Sequence, residues 1–488
     1  MRILFVFLFS FLLSAASAQL FRCVVAVDGS GTHSSLQEAI DACPDNEYSI
    51  IYLKNGRYDE QISIGSKTAA SSKKLSIIGQ HPDSVVITGN RARNTANGLS
   101  FEQVVTFQVY APEFYMENVT IENTAGNTGM AEALYTGADR QTFKNCVIRS
   151  YQDTYRSKKG TRAYFESCTI EGAVDFIYAG GVIFFDRCTI RCIGNSGYIT
   201  APEDAAFTIP RLQTKVDKFL RLGFIFRECA ITAAPGVPDG SFYLGRPWNS
   251  MAGSFYLNCI LGPHINAKGW KEWNGNESSA SFAEFGSKKP DGSAADVSQR
   301  VSWSFQLPAD DVTNLFTTQG IYGRVSTTSP YTPELLVQAP AAPVSVGTDG
   351  TRLSWPAVAD AAGYVVLKDN RLVGFTSSTS YEITGTDGVF TVRSVGVRGQ
   401  QSAASGVTSL PAPENPVAVS QLNGRLVFGE AVTAALYTTD GKLIKSTPQL
   451  VHEFNTSDIA EGLYLLSMTT SEGISSTKKL NITHKPSI

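Results

Sequence analysis

A short pattern of apolar and polar positions recurs through the first half of the chain. Each copy has an aromatic residue, two further residues, a cysteine, one variable residue and then isoleucine or leucine. The copies lie at residues 143–148, 165–170, 185–190, 226–231 and 256–261, and residues 119–121 fit an earlier copy without the cysteine. β-Branched and aromatic residues that alternate with polar ones at this repeat length predict stacked β coils rather than helices.

The spacing of the copies predicts the architecture. Successive copies are 20 to 30 residues apart, except for a step of 41 residues from Phe185 to Phe226, which is close to two steps of 20. We therefore expect an all-β protein built on a right-handed parallel β-helix, in which each coil buries a ladder of like residues under the next. Because residues one coil apart become neighbours in space, Asp153 and Asp175 are expected on adjacent coils.

The segments on either side of the repeat complete the predicted stack. Residues 35–42 have the pattern of a short amphipathic helix, which would cover the open end of the β-helix and protect its unpaired edge. A polar and aromatic stretch beyond Leu261 is expected to wrap back over the stack. Strands of the first coils are expected at residues 50–53, 62–64, 75–78 and 85–87.

The two ends of the chain are predicted to lie outside the β-helix. Residues 1–18 combine a charged start, a short apolar run and an Ala-Ser-Ala ending, which is the pattern of a secretory signal peptide. No later stretch is apolar over the length that a membrane span needs. We expect a secreted or cell-surface protein with a β-helix domain at 19–336 and two small β-sandwich-like domains at 343–410 and 417–488.

Composition and charge narrow the chemistry. A net charge of −3 with 17% charged residues offers no basic face for nucleic acid. Five of the eight cysteines occupy the repeat position, where a buried thiol fills apolar space. Cys23 and Cys43 lie outside the repeat, and the sequence leaves open whether they form a disulfide. The five histidines lack metal-ligand spacing and no G-x-S-x-G motif occurs, so neither a metal site nor an α/β serine hydrolase is expected.

The pair of acidic residues remains the best chemical candidate. Asp153 and Asp175 each stand among apolar and aromatic neighbours. A carboxylate in such surroundings must be paired, hydrogen-bonded or functional, because removing its charge from water is unfavourable. An isolated aspartate of this kind is usually a structural turn residue, but the repeat brings these two together.

Several longer motifs occur in one order along the β-helix region. They resemble the motifs of the pectin methylesterases, carbohydrate esterases built on a right-handed parallel β-helix. The resemblance covers about Val24 to Thr332 and implies hydrolysis of C6 methyl esters in pectin, with methyl-esterified homogalacturonan as substrate, no cofactor and a monomeric enzyme. The matching motifs are Gly56-Arg57-Tyr58-Asp59-Glu60, Asn123-Thr124-Ala125-Gly126, Gln152-Asp153-Thr154, Val174-Asp175-Phe176-Ile177, Tyr198-Ile199-Thr200-Ala201 and Leu244-Gly245-Arg246-Pro247-Trp248, with Gly269-Trp270 and Trp273 after them.

The resemblance implies a role for each catalytic residue. Asp175 is the expected nucleophile, and Asp153 is the expected general acid and then general base. Arg246 is expected to keep the nucleophile anionic through charge-assisted hydrogen bonds. Gln152 is expected to donate an N–H to the oxyanion, a contact worth about 3–4 kcal/mol of barrier.

The predicted substrate-binding residues are Trp248, Phe176, Trp270 and Met130. The three aromatic residues are expected to offer flat faces on which sugar rings pack. Met130 is a departure, because the family usually reads Q-A-V-A-L where this chain has M-A-E-A-L. A thioether cannot replace the glutamine N–H near the oxyanion, a loss expected to cost about 10²–10³ in rate. The usual D-F-I-F-G also reads D-F-I-Y-A here, from Asp175 onward.

Two other functions remain open at this stage. A glycosidase or lyase acting on the same polymer would keep the β-helix and the aspartate pair, although Gln152 and the Arg-Pro-Trp loop favour the esterase. A non-catalytic polysaccharide-binding surface protein is the third possibility, which Met130 and the two trailing domains motivate. Of these domains, 343–410 resembles a fibronectin type III-like sandwich, and 417–488 resembles the C-terminal sorting modules of Bacteroidetes-type cells.

Overall fold

A computed structural model gives the structure of the protein. It describes residues 20–210, 219–383, 388–406, 408–409, 417–471 and 475–484. The signal peptide predicted at 1–18 and the Pro-rich joint at 410–416 lie outside the described residues. Within the described part of the chain, no helix is long and apolar enough to cross a membrane.

Three parallel sheets form the predicted β-helix, and each coil contributes one strand to each sheet where it is complete. Sheet 1 contains Cys23–Val25, Tyr48–Leu53, Lys74–Gly79, Tyr115–Glu117, Gln141–Lys144, Arg162–Glu166, Val182–Asp186, Phe224–Arg227, Gly253–Leu257, Ser281–Phe285 and Phe305–Gln306. Sheet 2 contains Gly56–Asp59, Val85–Gly89, Thr120–Asn123, Val147–Arg149, Thr169–Gly172, Thr189–Cys192, Ala230–Ala233 and Ile260–Leu261. Sheet 3 contains Ile62–Ile64, Phe107–Val109, Leu134–Thr136, Tyr155–Ser157, Val174–Ala179, Gly197–Pro202 and Phe242–Gly245.

The ladder predicted from the repeat runs through the interior of this stack. Its aromatic rings are stacked with centroids 4.7 Å apart for Phe143 and Phe165, 5.0 Å for Phe165 and Phe185, and 4.7 Å for Phe185 and Phe226. Tyr256 extends the stack at 4.4 Å from Phe226. The five repeat cysteines are buried and free, so they fill the core as small apolar side chains.

The step of 41 residues is one coil rather than two. Phe185 pairs directly with Phe226 in sheet 1, so no extra coil lies between them. The additional residues form an excursion that includes an antiparallel pair, Thr208–Pro210 with Phe219–Arg221. The prediction of two coils at this step is therefore wrong, because a long loop leaves the period of the core unchanged.

One helix packs against the first strands of the stack, and the later helices pack on sheet 1. Leu36–Ala42 is helical, and the Ser35 side chain caps it by accepting from Glu38 N. Cys23 and Cys43 are both free, and each Sγ–H donates to the carbonyl of Ala39, which is part of this helix. The chain after Leu261 adds the last two strands of sheet 1. It also contributes the helices Ala309–Asn314, Thr318–Val325 and Pro333–Val337, and a short helix at Phe101–Val104 and a 3-10 turn at Asn276–Ser279 complete the helical content of the described residues.

Two further groups of β-strands follow the β-helix. One has a three-stranded sheet and a four-stranded sheet, formed by Gly347–Thr348, Arg352–Ser354, Ser380–Glu382 and by Gly363–Lys368, Arg371–Thr376, Val389–Val395, Thr408–Ser409. It packs on the β-helix, where Phe375 contacts Phe21 and Tyr52 at centroid distances of 4.4 and 5.1 Å. The second is an antiparallel sheet of Val419–Leu422, Arg425–Thr438, Leu443–Asn455, Gly462–Thr470 and Ser475–Ile482.

Candidate active site

Asp153 and Asp175 lie side by side on adjacent coils at sheet 3. Gln152 forms a parallel bridge with Val174, and the Asp153 N–H donates to the Val174 carbonyl over 3.1 Å. Asp153 and Asp175 each follow a residue of this bridge, so the two aspartates lie at neighbouring positions on adjacent coils. This juxtaposition is the one that the spacing of the repeat predicts.

Both aspartates have a backbone conformation that turns their side chains out of the regular strand. Asp153 has φ of 60° and Asp175 has φ of 48°, in the left-handed region. Aspartate tolerates this region better than most residues, because its short polar side chain can bond locally. The carboxyls still remain largely shielded, with 6% of Asp153 and 8% of Asp175 exposed.

Arg246 forms a two-pronged ion pair with Asp175. Its Nε donates to Oδ1 over 2.9 Å and its Nη2 donates to Oδ2 over 2.6 Å. The guanidinium carbon lies 3.9 Å from the ring centroids of both Tyr198 and Trp273. Because the two rings enclose the guanidinium and its backbone N–H binds Thr200 O over 2.9 Å, Arg246 is held in one orientation toward the carboxylate.

The electrostatic surroundings separate the two aspartates. Burial raises the pKa of Asp153 well above its usual value, and the charges of Asp175 and Glu132 raise it further. Burial also raises the pKa of Asp175, but the hydrogen bonds and charge of Arg246 oppose that shift. The surroundings therefore favour the protonated form of Asp153 more strongly than that of Asp175, whose charged form is supported by Arg246.

A third acid beside the pair escaped the sequence analysis. Glu132 is fully buried and accepts from Arg156 Nε over 2.8 Å and from Arg156 Nη2 over 3.0 Å. The Tyr178 hydroxyl donates to the same carboxylate. The signal was present in the sequence, because Glu132 and Tyr178 are the polar residues in the two motifs that depart from the usual pattern.

Two of the predicted sugar-binding aromatics do not reach the surface. Phe176 and Trp270 are fully buried, and Trp270 packs between Tyr256 and Phe282 at centroid distances of 5.6 and 4.8 Å. Neither ring has a face open to a polysaccharide, so their prediction as substrate-binding residues is wrong. The next tryptophan along the chain, Trp273, is the one that lies at the site.

Trp248 differs from these two residues, because it is 40% exposed. Its ring centroid lies 6.1 Å from that of Tyr178, beside the carboxylates. Asn276 Nδ2 donates to the Trp248 carbonyl over 2.8 Å and fixes the backbone of this loop. Trp248 thus offers an exposed aromatic face near the acidic pair, and its binding of a sugar ring stays a prediction.

Met130 and Gln152 lie at the edge of the same site and are half-buried. Met130 exchanges two backbone hydrogen bonds with Arg93, of 2.8 and 3.0 Å, and the next N–H, that of Ala131, donates to Gln152 O over 3.1 Å. The Gln152 amide lowers the pKa of Asp153 and so favours its charged form. Gln152 therefore brings a side-chain amide close to Asp153, whereas Met130 adds only an apolar surface.

Known proteins are similar to the β-helix part of this chain. The Pectinesterase family profile matches residues 22–322. "Putative pectinesterase 11" from Arabidopsis thaliana is 30% identical over 305 residues, which cover 61% of this chain and 78% of that protein. Several other relatives from this plant are longer, and the chain spans about half of their length, for example 51% of "Probable pectinesterase/pectinesterase inhibitor 7".

Two solved structures are similar to the β-helix. The pectin methylesterase from carrot has a TM-score of 0.54 and 25% identity, with 64% of this chain and 97% of that chain covered. The pectin methylesterase from Aspergillus niger has a TM-score of 0.50 and 28% identity, with 61% of this chain and 94% of that chain covered. In both, the similarity takes in nearly all of the solved chain.

Proposed function

Because this chain belongs to the pectinesterase family, we propose that it hydrolyses the C6 methyl esters of polygalacturonan in pectin, releasing methanol and free carboxylate. The observation that carries the proposal is the unequal pair of buried acids, in which Asp175 is bound by Arg246 and Asp153 is not. One acid is thereby suited to attack a carbonyl carbon and the other to supply a proton.

The first half of the proposed reaction forms an acyl-enzyme. An Asp175 carboxylate oxygen attacks the ester carbonyl carbon, and the electron pair of the carbonyl moves onto its oxygen. When that oxyanion collapses, the bond to the methoxy oxygen breaks and Asp153 donates its proton, so methanol leaves. Arg246 aligns the attacking oxygens through its ion pair with the free carboxylate.

The second half restores the enzyme. Asp153, now ionised, accepts a proton from a water molecule, whose oxygen attacks the galacturonyl carbonyl of the acyl-enzyme. The bond to Asp175 breaks, the product leaves as a carboxylic acid that ionises in water, and Asp175 returns to its ion pair with Arg246. The high pKa of Asp153 suits both steps, because a stronger base accepts the proton of water more readily.

Gln152 is the proposed donor to the oxyanion. Its amide contacts Asp153 and has a second N–H for the developing charge. Trp248 is proposed to support a sugar ring of the polymer on its exposed face. Since pectin lies outside cells, the proposal also includes export of the protein, in accord with the signal peptide predicted at 1–18, and activity as a monomer.

A methanol-release assay with highly methylated pectin tests the proposal. We expect methanol and titratable acid in equal amounts, with no new reducing ends and no unsaturated products. Chain shortening would instead indicate a glycosidase or lyase, and binding without turnover would indicate a polysaccharide-binding protein. Either result would contradict the proposal.

A matched pair of variants tests the assignment of the nucleophile. Asp175→Asn is expected to lower kcat by at least about 10⁴-fold, because the amide is not a nucleophile. Asp186 serves as the control, since Arg227 Nε and Nη2 bind it over 2.8 and 2.9 Å in the same two-pronged arrangement on sheet 1. Asp186→Asn is expected to reduce stability and to retain methanol release. Activity retained in folded Asp175→Asn would refute the assignment.

A further inference from the structure

Two of the residues that depart from the usual family pattern, Glu132 and Tyr178, contact each other in the structure. Glu132 stands where the usual motif has valine, and Tyr178 stands where it has phenylalanine. The two side chains are 46 residues apart in sequence and hydrogen-bonded to each other in the structure. A buried acid and a hydroxyl that occur together in this way form a specific arrangement.

The register of the coils places Glu132 next to Asp153. Leu134 pairs with Tyr155 in sheet 3, and the Ala133 N–H donates to Thr154 O over 2.9 Å. Glu132 therefore occupies the position beside Asp153, as Asp175 does on the opposite side. The three acidic residues therefore stand on three successive coils, whose neighbouring strands are about 4.8 Å apart.

Glu132 is held in place as a charged group. Arg156 binds both of its oxygens, and the Arg156 guanidinium carbon lies 3.9 Å from the Tyr135 ring centroid. Tyr178 donates a third hydrogen bond. Burial keeps the pKa of Glu132 above its usual value, although these partners oppose the shift. The two-pronged ion pair with Arg156 and the hydrogen bond from Tyr178 are the contacts that favour its anionic form.

We propose that Glu132, clamped by Arg156 and Tyr178, is a positioning residue that holds the proton on the Asp153 carboxyl until the leaving methoxy oxygen takes it. The inference rests on the proposed function, in which Asp153 is the general acid. In this proposal Glu132 contacts neither the ester nor the attacking water, because its side chain is fully buried. Its contribution is a fixed negative charge beside the acid.

Several polar and charged groups around Asp153 enter this balance, and the Tyr178 hydroxyl also lies near its carboxyl. Asp175 and Glu132 disfavour its ionisation, whereas Arg156 and the Gln152 amide favour it. Arg246 faces Asp175 and reduces the effect of that charge. Arg156 partly neutralises Glu132 in the same way, so both acids contribute to keeping Asp153 protonated, with Asp175 the larger and Glu132 the smaller contribution. Without the charge of Glu132, the Asp153 carboxyl would lose its proton at a lower pH.

The pH dependence of kcat for methanol release tests this role. The alkaline limb of the profile reports ionisation of the acid in the enzyme–substrate complex. In Glu132→Gln a negative charge is removed and Arg156 is left unneutralised, and both changes favour ionised Asp153. We expect the limb to move to lower pH by about one unit. Glu132→Val with Tyr178→Phe restores the usual family pattern and is expected to move the limb in the same direction.

Glu117→Gln is the matched control. Glu117 is another buried glutamate that accepts from a tyrosine, with Tyr115 Oη 2.7 Å from its Oε2 and Lys144 nearby, but it lies on sheet 1. Its replacement is expected to leave the alkaline limb in place. If Glu132→Gln lowers kcat equally at every pH without moving the limb, Glu132 has only a structural role and the inference is overturned.

A second measurement needs no turnover. In protein labelled with carbon-13 at the aspartate carboxyls, the Asp153 signal is identified by its loss in Asp153→Asn. We expect its titration midpoint to fall in Glu132→Gln and to stay in Glu117→Gln. An unchanged midpoint in Glu132→Gln would overturn the inference. Absence of methanol release from the wild-type protein would refute the proposed function, and this titration would still decide the role of Glu132.

Discussion

Met130 is the residue at which the chain departs most directly from the expected oxyanion site. Its thioether stands where a glutamine would supply an N–H, next to the backbone that pairs with Gln152. We expect Met130→Gln to raise kcat by about 10–100-fold, because one oxyanion donor is worth about 10²–10³ in rate and Gln152 already supplies another. Steady-state methanol release from methylated pectin measures the change.

The same experiment has a clear opposite outcome. KM is expected to change little, since the new donor acts on charge that develops after binding. An unchanged kcat in folded Met130→Gln would mean that another group already fills this position. The prediction that Met130 leaves the oxyanion site without a needed hydrogen-bond donor would then be wrong.

At the residue scale, polar chemistry was more predictable than aromatic surfaces. Asp153 and Asp175 could be paired from the repeat alone, and motif context then connected Arg246 with them. Trp270 and Trp273 lie three residues apart, and nothing local in the sequence indicates which ring enters the core. Glu132 was missed because a single acidic residue in a short apolar motif resembles an ordinary substitution until its partners are known.

At the scale of the coil, the stacked aromatic column is expected to carry much of the stability. Phe185 lies in its middle, with rings above and below at 5.0 and 4.7 Å and a fully buried side chain. Phe185→Ala is expected to reduce the free energy of unfolding by about 3–5 kcal/mol, because the rigid coils cannot collapse into the cavity. Urea unfolding followed by circular dichroism measures the loss.

Trp248→Ala provides the comparison for this effect. The ring is 40% exposed, so its removal is expected to change the free energy of unfolding by less than about 0.5 kcal/mol while weakening substrate binding. Equal losses of stability in the two variants would contradict a core organised around the column.

Elements with a regular spacing of apolar residues could be predicted from the sequence, whereas the long loop that interrupts the coils could not. The helix at Leu36–Ala42 and the early strands agree with their predicted positions within two residues, because apolar spacing and a capping serine specify them. The step from Phe185 to Phe226 misled the count of coils, since spacing alone cannot distinguish an excursion from an additional coil. The direct pairing of Phe185 with Phe226 shows that the extra residues form an excursion and not an additional coil.

At the scale of the whole molecule, the β-sandwich after the β-helix is joined to it by packing as well as by the chain. Phe375 contacts Phe21 and Tyr52, and the Gln401 N–H donates to the buried carboxylate of Glu117 over 3.3 Å. No repeat or motif predicts this contact, because neither side has a sequence pattern that specifies the other. The sorting function of 417–488 and the export of the chain stay predictions.

We expect Phe375→Asp to disrupt this contact. A charge among apolar rings is expected to lower the free energy of unfolding by about 1–3 kcal/mol. Calorimetry should therefore show thermal unfolding beginning at a lower temperature than in the wild type. Val373→Asp is the control, since this side chain is 40% exposed on the same strand and is expected to have little effect. Equal transition temperatures for Phe375→Asp and wild type would show that the contact does not couple the two parts.

A crystal structure of Asp153→Asn with a methyl-esterified hexagalacturonide tests the proposed catalytic pair. We expect one ester carbonyl carbon about 3–3.5 Å from an Asp175 oxygen, with the methoxy oxygen directed at residue 153 and a sugar ring on Trp248. A saccharide bound with its esters directed away from the two acidic positions, or on another sheet of the β-helix, would refute the assignment of Asp153 and Asp175.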